Sequence, residues 1–491
     1  MPNPGEAVRS LFEQVQREYV DPSLRVNESW LIRNIVKHGN QILSENPRQL
    51  EKTSHPSGRY DIGVVNLERS HGPYLYTDKG LYFDASYSWM TNIVDSAKHP
   101  ELQKPALLNF LGRVALEDQT PTEIVTAVQA SFVDMMMGFW PEAYKVLPVS
   151  AGTLATDDAI EIAIGQVSDK LGKKPQELKG IAFEGAFHGR VGRGADGTAN
   201  KRKVGHKHTD KVDHVTAPIV QFDDVGIPHD LNTRKVFEKS LAEVEEKLAR
   251  DEYAYVIIEY PIQAEGGARL VNPEALKKLH DLCQKYGKVL IVDDVQMGGR
   301  SWTINKNFIS PFTKEVLEYA DIITFGKVFH ANGTMIRDFT KLDRGFTSNW
   351  VDNNGPEKLG GTWTGHLSQM ASGYAIMRTV IEKELWNNGL IQTNHILINL
   401  QEIVTRYPHL LTNARGRSDT AYLAWSFNQS EMRNLFKQLM MEKEHIIFLP
   451  AGDDSIRLAP AADMTRKEAD AILFAIENQL IRMSEIAEIS Q

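Results

Sequence analysis

The sequence of 491 residues has a single cysteine, Cys283, so no disulfide can form within the chain. Cys283 lies in "LHDLCQKYG", an amphipathic helical pattern in which a buried, inert thiol is expected. No apolar run approaches the roughly 20 residues that cross a bilayer. The opening "MPNPGEAVRSLFEQVQREYV" mixes Glu and Arg with its hydrophobic residues where a signal peptide would have an apolar core, so a cytoplasmic protein is expected. Internal repeats and low-complexity tracts are also missing. A net charge of -9 gives no electrostatic footprint for nucleic acid. The one basic run, "NKRKVGHKHTDK" at 200–211, lacks interleaved aromatic residues and reads as a solvated loop. What is present is apolar mass: 42% hydrophobic residues over this length build a large core and more than one lobe.

Residues 1–95 read as an N-terminal segment of helices and a hairpin that packs with the small domain. "NPRQLEKTSHPSGRY" serves there as linker, and aromatic runs flank the Asp-Lys-Gly turn of "PYLYTDKGLYFDAS". Residues 96–375 form the large domain. In it, "KGIAFEG", "YAYVIIEY", "KVLIVDDV" and "DIITFGK" are strand-like, and the helix-like "NPEALKKLHDLCQKYG" and "TKEVLEYA" fall between the later ones. This βαβαβ order predicts a mostly parallel sheet, an α/β class, with Asp293 and Lys327 on its carboxyl edge, where such folds place ligands. Residues 376–491 read as a smaller α+β domain, with "EHIIFLPAGDDSIRLAP" as two strands around a turn.

A lysine at one strand end and an aspartate at another suit pyridoxal phosphate chemistry. That cofactor needs an amine to bind its aldehyde, an acid facing its ring nitrogen, and donors for its phosphate. Lys327 and Asp293 meet the first two needs. "SAGT", 150–153, opens into a helix whose first N–H groups can hold an anion, with Gly152 allowing close approach. In "GAFHGR", Phe187 can pack on a flat ring and Arg190 can hold a carboxylate. Each feature alone also has an ordinary structural explanation.

Taken in order, these segments resemble the class III, omega-aminotransferase branch of the fold-type I pyridoxal phosphate enzymes. "PIQAEGG", "IVDDVQMGGR" and "FGKVFHANG" carry the likeness. "VSAGTLATDDAIEIA" and "IIFLPAGDDSIRLAP" bring it nearest to L-lysine 6-aminotransferases. The resemblance implies that Lys327 binds the cofactor, Asp293 pairs with the ring nitrogen, Gln296 contacts the phenolic oxygen, Phe187 stacks on the ring, and Gly152 and Thr153 hold the phosphate. "GGTWTG" is similar to the segment that brings a threonine, here Thr362, to the phosphate of the neighbouring subunit, which implies a homodimer. Arg190 would take the distal carboxylate of a substrate and Arg457 the α-carboxylate of glutamate. Glu265 would be a gate over Arg457, because a buried guanidinium stripped of its partner costs about 3–5 kcal/mol. No metal is expected. The implied substrates are an amino donor such as L-lysine and a 2-oxo acid such as 2-oxoglutarate.

The chain departs from the family pattern at several places. Tyr260-Pro261 stands where Glu-Pro is usual, with Glu259 one position earlier on the opposite strand face. Asp294 replaces a glutamate, Ser418 replaces a glycine, and Tyr87 and Trp89 add bulk near the expected substrate pocket. Other amine donors, 4-aminobutyrate among them, stay open, as do a racemase or decarboxylase on the same cofactor and a scaffold with a decayed site.

Overall fold

In the computed structural model, residues 62–117, 124–199, 209–222, 228–306, 308–347, 359 and 361–489 are described, with residues 10, 13, 14 and 41. The N-terminal linker and most of the basic run at 200–211 lie outside the described residues. The elements that place the site are as follows. Strands β1 (Tyr74–Thr77) and β2 (Gly80–Asp84) form the expected hairpin, with Thr77 opposite Gly80. Helices α1 (Pro105–Leu116) and α2 (Ala127–Phe139), strand β3 (Ala143–Val149) and helix α3 (Gly152–Leu171) follow. Then come β4 (Lys179–Phe183), β5 (Val212–Val215), β6 (Tyr253–Glu259), helix α4 (Ala275–Tyr286), β7 (Val289–Asp293), β8 (Ile322–Phe325) and β9 (Asn332–Arg337). The C-terminal part holds helices α5 (Leu367–Glu382) and α6 (Leu385–Arg406), strands β10 (Leu411–Gly416), β11 (Leu423–Phe427), β12 (Ile446–Ile447), β13 (Leu449–Ala451) and β14 (Ser455–Leu458), and helix α7 (Arg466–Ile489).

The large sheet has the order β3-β9-β8-β7-β6-β4-β5. Only β9 runs against its neighbours, so the sheet is mixed and mostly parallel. Central strands buried on both faces carry near-continuous apolar runs, and every residue of β6, β7 and β8 is buried. Alternation sends Tyr255, Ile257, Val289, Ile291 and Ile322 to one face, against Ala159, Ile160, Ala163 and Val167 of α3. Val256, Ile258, Leu290, Val292 and Ile323 go to the other, against Leu276, Leu279 and Cys283 of α4. Each such aliphatic side chain contributes roughly 1.5–3 kcal/mol when fully buried. As expected, Cys283 is buried, and burial raises its thiol pKa well above the ordinary range.

A second, antiparallel sheet has the order β10-β11-β14-β13. The segment 444–460 does contain strands around a turn, but its first two strand residues, β12, leave to join β2 in parallel. The hairpin therefore packs into the same apolar cluster as the C-terminal helices, Tyr74 and Phe83 beside Trp425, Phe448 and Ile472.

Helix α5 crosses under the turn that follows β8, and Gly373 marks the crossing. A Cβ at 373 would stand 2.0 Å from the carbonyl oxygen of Phe329. Overpacking of this kind costs about 1–3 kcal/mol. Gly373→Ala is expected to lower the melting temperature by several degrees in a thermal shift measurement. Gly112→Ala, on exposed α1 with open space around the new methyl group, should leave it unchanged or slightly raised. A Gly373→Ala protein as stable as wild type would show that the turn retreats freely.

Candidate active site

Register places the ionisable groups. Glu259 ends β6 directly opposite Asp293, which ends β7, and Asp293 lies opposite Thr324 of β8. All three follow the residues that face α3, so two carboxyls and a hydroxyl emerge on one side of the carboxyl edge. Their neighbours in sequence, Tyr260 and Asp294, turn the other way. Tyr260 meets Arg417 there, its hydroxyl accepting from Nη1 at 3.0 Å. Asp294 is fully buried, and burial raises its pKa well above the ordinary value. The register from Tyr255–Val289 to Glu259–Asp293 runs without a bulge. Glu259 thus faces the cavity from its own position while Tyr260 occupies the other side.

Beyond β8 the chain turns sharply at Lys327, whose φ of 50° lies in the left-handed region rarely used outside glycine. Lys327 reaches the same cavity as Asp293, a space of about 540 Å³ lined also by Gly152, Thr153, Phe187, Arg190, Glu259 and Gln296. Lys327 Nζ donates to Gln296 Oε1 at 2.8 Å. Burial lowers the proton affinity of the amine, and Glu265 works against that shift.

Asp293 is held from three sides. His188 Nδ1 lies 2.8 Å from its Oδ2, the Thr324 hydroxyl donates to Oδ1 at 3.0 Å, and the Val295 N–H reaches Oδ1 at 3.3 Å. Glu259 accepts from the Phe187 N–H at 3.2 Å and the Ala264 N–H at 3.3 Å. Burial first, and the charge of Asp293 second, push its carboxyl up to about 8. It therefore stays largely protonated at neutral pH.

Gly152 begins α3 under Val295, where a Cβ would stand 2.8 Å from a valine methyl group. The next residue, Thr153, has a buried Oγ1 with no hydrogen-bond partner among the described residues.

Of the remaining expected residues, Arg190 is exposed on the cavity wall. Arg457 and Glu265 lie outside that lining and pair with each other, Nη2 to Oε1 at 2.6 Å. Burial opposes the Arg457 charge, but Glu265 and Tyr422 outweigh it and raise the pKa. Thr362 is exposed and is not part of this chain's cavity lining. Tyr87 and Trp89 do not narrow the pocket as expected. Tyr87 is buried against Phe83, Trp89 is 43% exposed, and Thr91 and Asn92 form the wall.

A profile described as aminotransferase class-III matches residues 58–480. The chain belongs to the class III aminotransferases. It is 25% identical over 446 residues to an L-lysine-epsilon aminotransferase of Amycolatopsis lactamdurans, covering 86% of this chain and 92% of that protein. It is 23% identical over 427 residues to the mitochondrial 4-aminobutyrate aminotransferase of Homo sapiens, covering 80% of each. The fold matches that of a lysine aminotransferase from Mycobacterium tuberculosis with a TM-score of 0.76 at 22% identity, over 88% of this chain and 98% of that one. An omega transaminase from Pseudomonas jessenii matches with a TM-score of 0.72 at 17% identity, over 89% and 98%. This is the fold-type I architecture expected from the sequence.

Class III aminotransferases depend on pyridoxal phosphate, and this aminotransferase has groups that fit it. A dehydrated lysine amine and a carboxyl face one cavity, and an unpartnered Thr153 hydroxyl waits at a helix start. His188 and Tyr422 are among the residues of the site that escaped the sequence reading, as are Thr91 and Asn92 on the wall. His188 sits between the expected Phe187 and Arg190, and Tyr422 had no motif to mark it; only the folded contacts reveal either.

The raised Glu259 pKa has a stability consequence in this aminotransferase. Between the ordinary value of 4.5 and about 8, the folded chain holds a proton that the unfolded chain releases, so rising pH erodes stability across that window. Glu259→Gln removes the titration. Its melting temperature, measured without cofactor, should gain on wild type by a few degrees as pH rises from 4.5 to about 8, then stay parallel. A gap independent of pH would show that Glu259 is ionised throughout.

Proposed function

We propose that this aminotransferase takes the terminal amino group of L-lysine or a similar ω-amino acid and transfers it to 2-oxoglutarate, giving a semialdehyde and L-glutamate. The observation that carries this reading is the Arg457–Glu265 pair, 2.6 Å apart beside the lysine cavity, with Arg190 exposed on the cavity wall. An enzyme that alternates between substrates needs one cation for a carboxylate that only one of them presents. Arg457 keeps Glu265 as its counter-ion when a terminal amine is bound and exchanges it for the α-carboxylate of the 2-oxo acid. Arg190 holds the distal carboxylate in both cases. Lysine and 4-aminobutyrate aminotransferases among the relatives support a terminal-amine donor.

Bound pyridoxal phosphate supplies an electron sink and carries the amino group between the two half-reactions. On this reading Lys327 is its attachment point. The free amine of Lys327 would move a proton at the substrate carbon, a task its lowered proton affinity favours. Asp293, fixed by His188 and Thr324, would keep the ring nitrogen protonated. Phe187 would pack on the ring, and Gln296 would meet its phenolic oxygen. Gly152 and Thr153 hold the phosphate from this chain and Thr362 from a second copy, in a homodimer.

A donor screen with 2-oxoglutarate tests the substrate. L-lysine or L-ornithine is expected to exceed 4-aminobutyrate in kcat/KM by about tenfold or more; the reverse order would assign the donor to 4-aminobutyrate. Lys327→Ala should lose both the visible absorbance of the bound cofactor and turnover. Arg457→Ala should raise KM for 2-oxoglutarate by about 30-fold or more, and an unchanged KM would remove Arg457 from the carboxylate site.

A further inference from the structure

Two side chains, Gln296 and Tyr422, stand between the cavity lysine and the buried ion pair. Lys327 Nζ donates to Gln296 Oε1 at 2.8 Å, and Gln296 Nε2 donates to the Tyr422 hydroxyl at 3.3 Å. That hydroxyl lies close enough to the Arg457 guanidinium to interact with its charge; Arg457 Nη2 reaches Glu265 at 2.6 Å, and its Nε and Nη1 have no hydrogen-bond partner among the described residues. Tyr422 is fully buried, immediately before β11, in an apolar cluster with Met90, Ile262, Met297 and Leu449. The ring cannot move without disturbing the turn that carries Gln296, the turn that carries Glu265, and the small sheet that carries Arg457.

Donor and acceptor chemistry gives the hydroxyl a particular role. Gln296 Nε2 can only donate, so the phenol oxygen accepts from it and keeps its own O–H to give, beside a guanidinium with two unpartnered nitrogens. A carboxylate arriving at Arg457 is the natural acceptor. We propose that Tyr422 is a positioning residue that completes the carboxylate site at Arg457 and couples its occupancy, through Gln296, to the amine of Lys327. This rests on the reading of Arg457 as the carboxylate site.

Glutarate, a dicarboxylate with neither an amino nor a keto group, probes the coupling without reacting. Its affinity for the cofactor-loaded enzyme is measured by calorimetry, and the pH midpoint of the visible absorbance is followed with and without it, in wild type, Tyr422→Phe and Arg457→Ala. Phenylalanine keeps the ring packing and deletes only the hydroxyl. Tyr422→Phe is expected to weaken glutarate binding about tenfold, the loss of hydrogen bonds to a charged group. It should also abolish most of the midpoint shift that glutarate causes in wild type. Unchanged affinity in Tyr422→Phe, an undiminished shift, or no shift in wild type would each overturn the proposal. If Arg457→Ala loses glutarate while Tyr422→Phe behaves as wild type, the coupling fails and the carboxylate reading stands. If Arg457→Ala binds glutarate normally, both fail.

Discussion

Parallel register at the ends of three strands is the constraint on which the site depends. β6, β7 and β8 are buried on both faces, so their side chains cannot slip by one residue without turning every aliphatic group to the wrong layer. The same lock that seats Ile257, Ile291 and Ile322 under α3 delivers Glu259, Asp293 and Thr324 to the edge above them. Core packing therefore sets the geometry of the polar groups, and the carboxyl of Asp293 is oriented by neighbours that are themselves immobile. A site built on strand ends gains this accuracy; Lys327, two residues past the end of β8, adopts a left-handed backbone to share it.

Two buried arginines extend that rigidity to the walls of the site. Arg300 is fully buried, yet it pairs with carbonyls: Asn92 at 2.9 Å, Ala459 at 3.3 Å and Met90 at 3.4 Å. Burial pulls its pKa down to about 10. The residues it grips follow a strained turn, Tyr87 to Met90, with φ angles of 46, 59, 59 and 65°. Left-handed backbone costs roughly 1–2 kcal/mol per residue, so the turn needs such an anchor, and it ends in Thr91 and Asn92 on the cavity wall. Arg415 acts similarly on the other side, binding the carbonyls of Gly267 and Ala268 just after Glu265. Each arginine links the small sheet or its flanks to a segment of the large domain that borders the site.

Much of this was legible in the sequence because it depends on period and order. The apolar runs of β6, β7 and β8, the glycine-closed α4 and the ordered motifs around Gly152, Asp293 and Lys327 identify the fold and bring Gly152, Thr153, Phe187, Arg190, Asp293, Gln296 and Lys327 to one cavity. Contacts made across hundreds of residues were not legible. Tyr422 meets Gln296 only because the small sheet docks there, and His188 meets Asp293 only because β4 lies two strands from β7. Tyr87 reads as pocket bulk by its place in the chain, but a reversed backbone sends it into the core of the small lobe. Alternation alone argues that Glu259 reaches the site only through a bulge, yet the strand has none: Glu259 and Tyr260 face opposite sides, and the Glu259 side is the cavity.

The exchange of faces between a carboxyl and a tyrosine changes the charge balance of the site. Two carboxyls at facing positions on adjacent strands cannot both ionise cheaply away from water, and Glu259 is the one that keeps its proton. At neutral pH Glu259 then adds little negative charge to the floor, and it can still accept the two N–H groups that hold the Phe187 loop and the Glu265 turn. A negative charge at Glu259 would oppose any anionic substrate. Under the proposed function, with Glu259 neutral and Arg457 paired with Glu265, Arg190 is the exposed cation among the lining residues and takes the one distal carboxylate of the donor. Under the proposed function, a second carboxylate is admitted only by displacing Glu265. Discrimination between the two substrates then lies in the strength of one buried ion pair, set by burial, by Glu265 and by the hydroxyl of Tyr422.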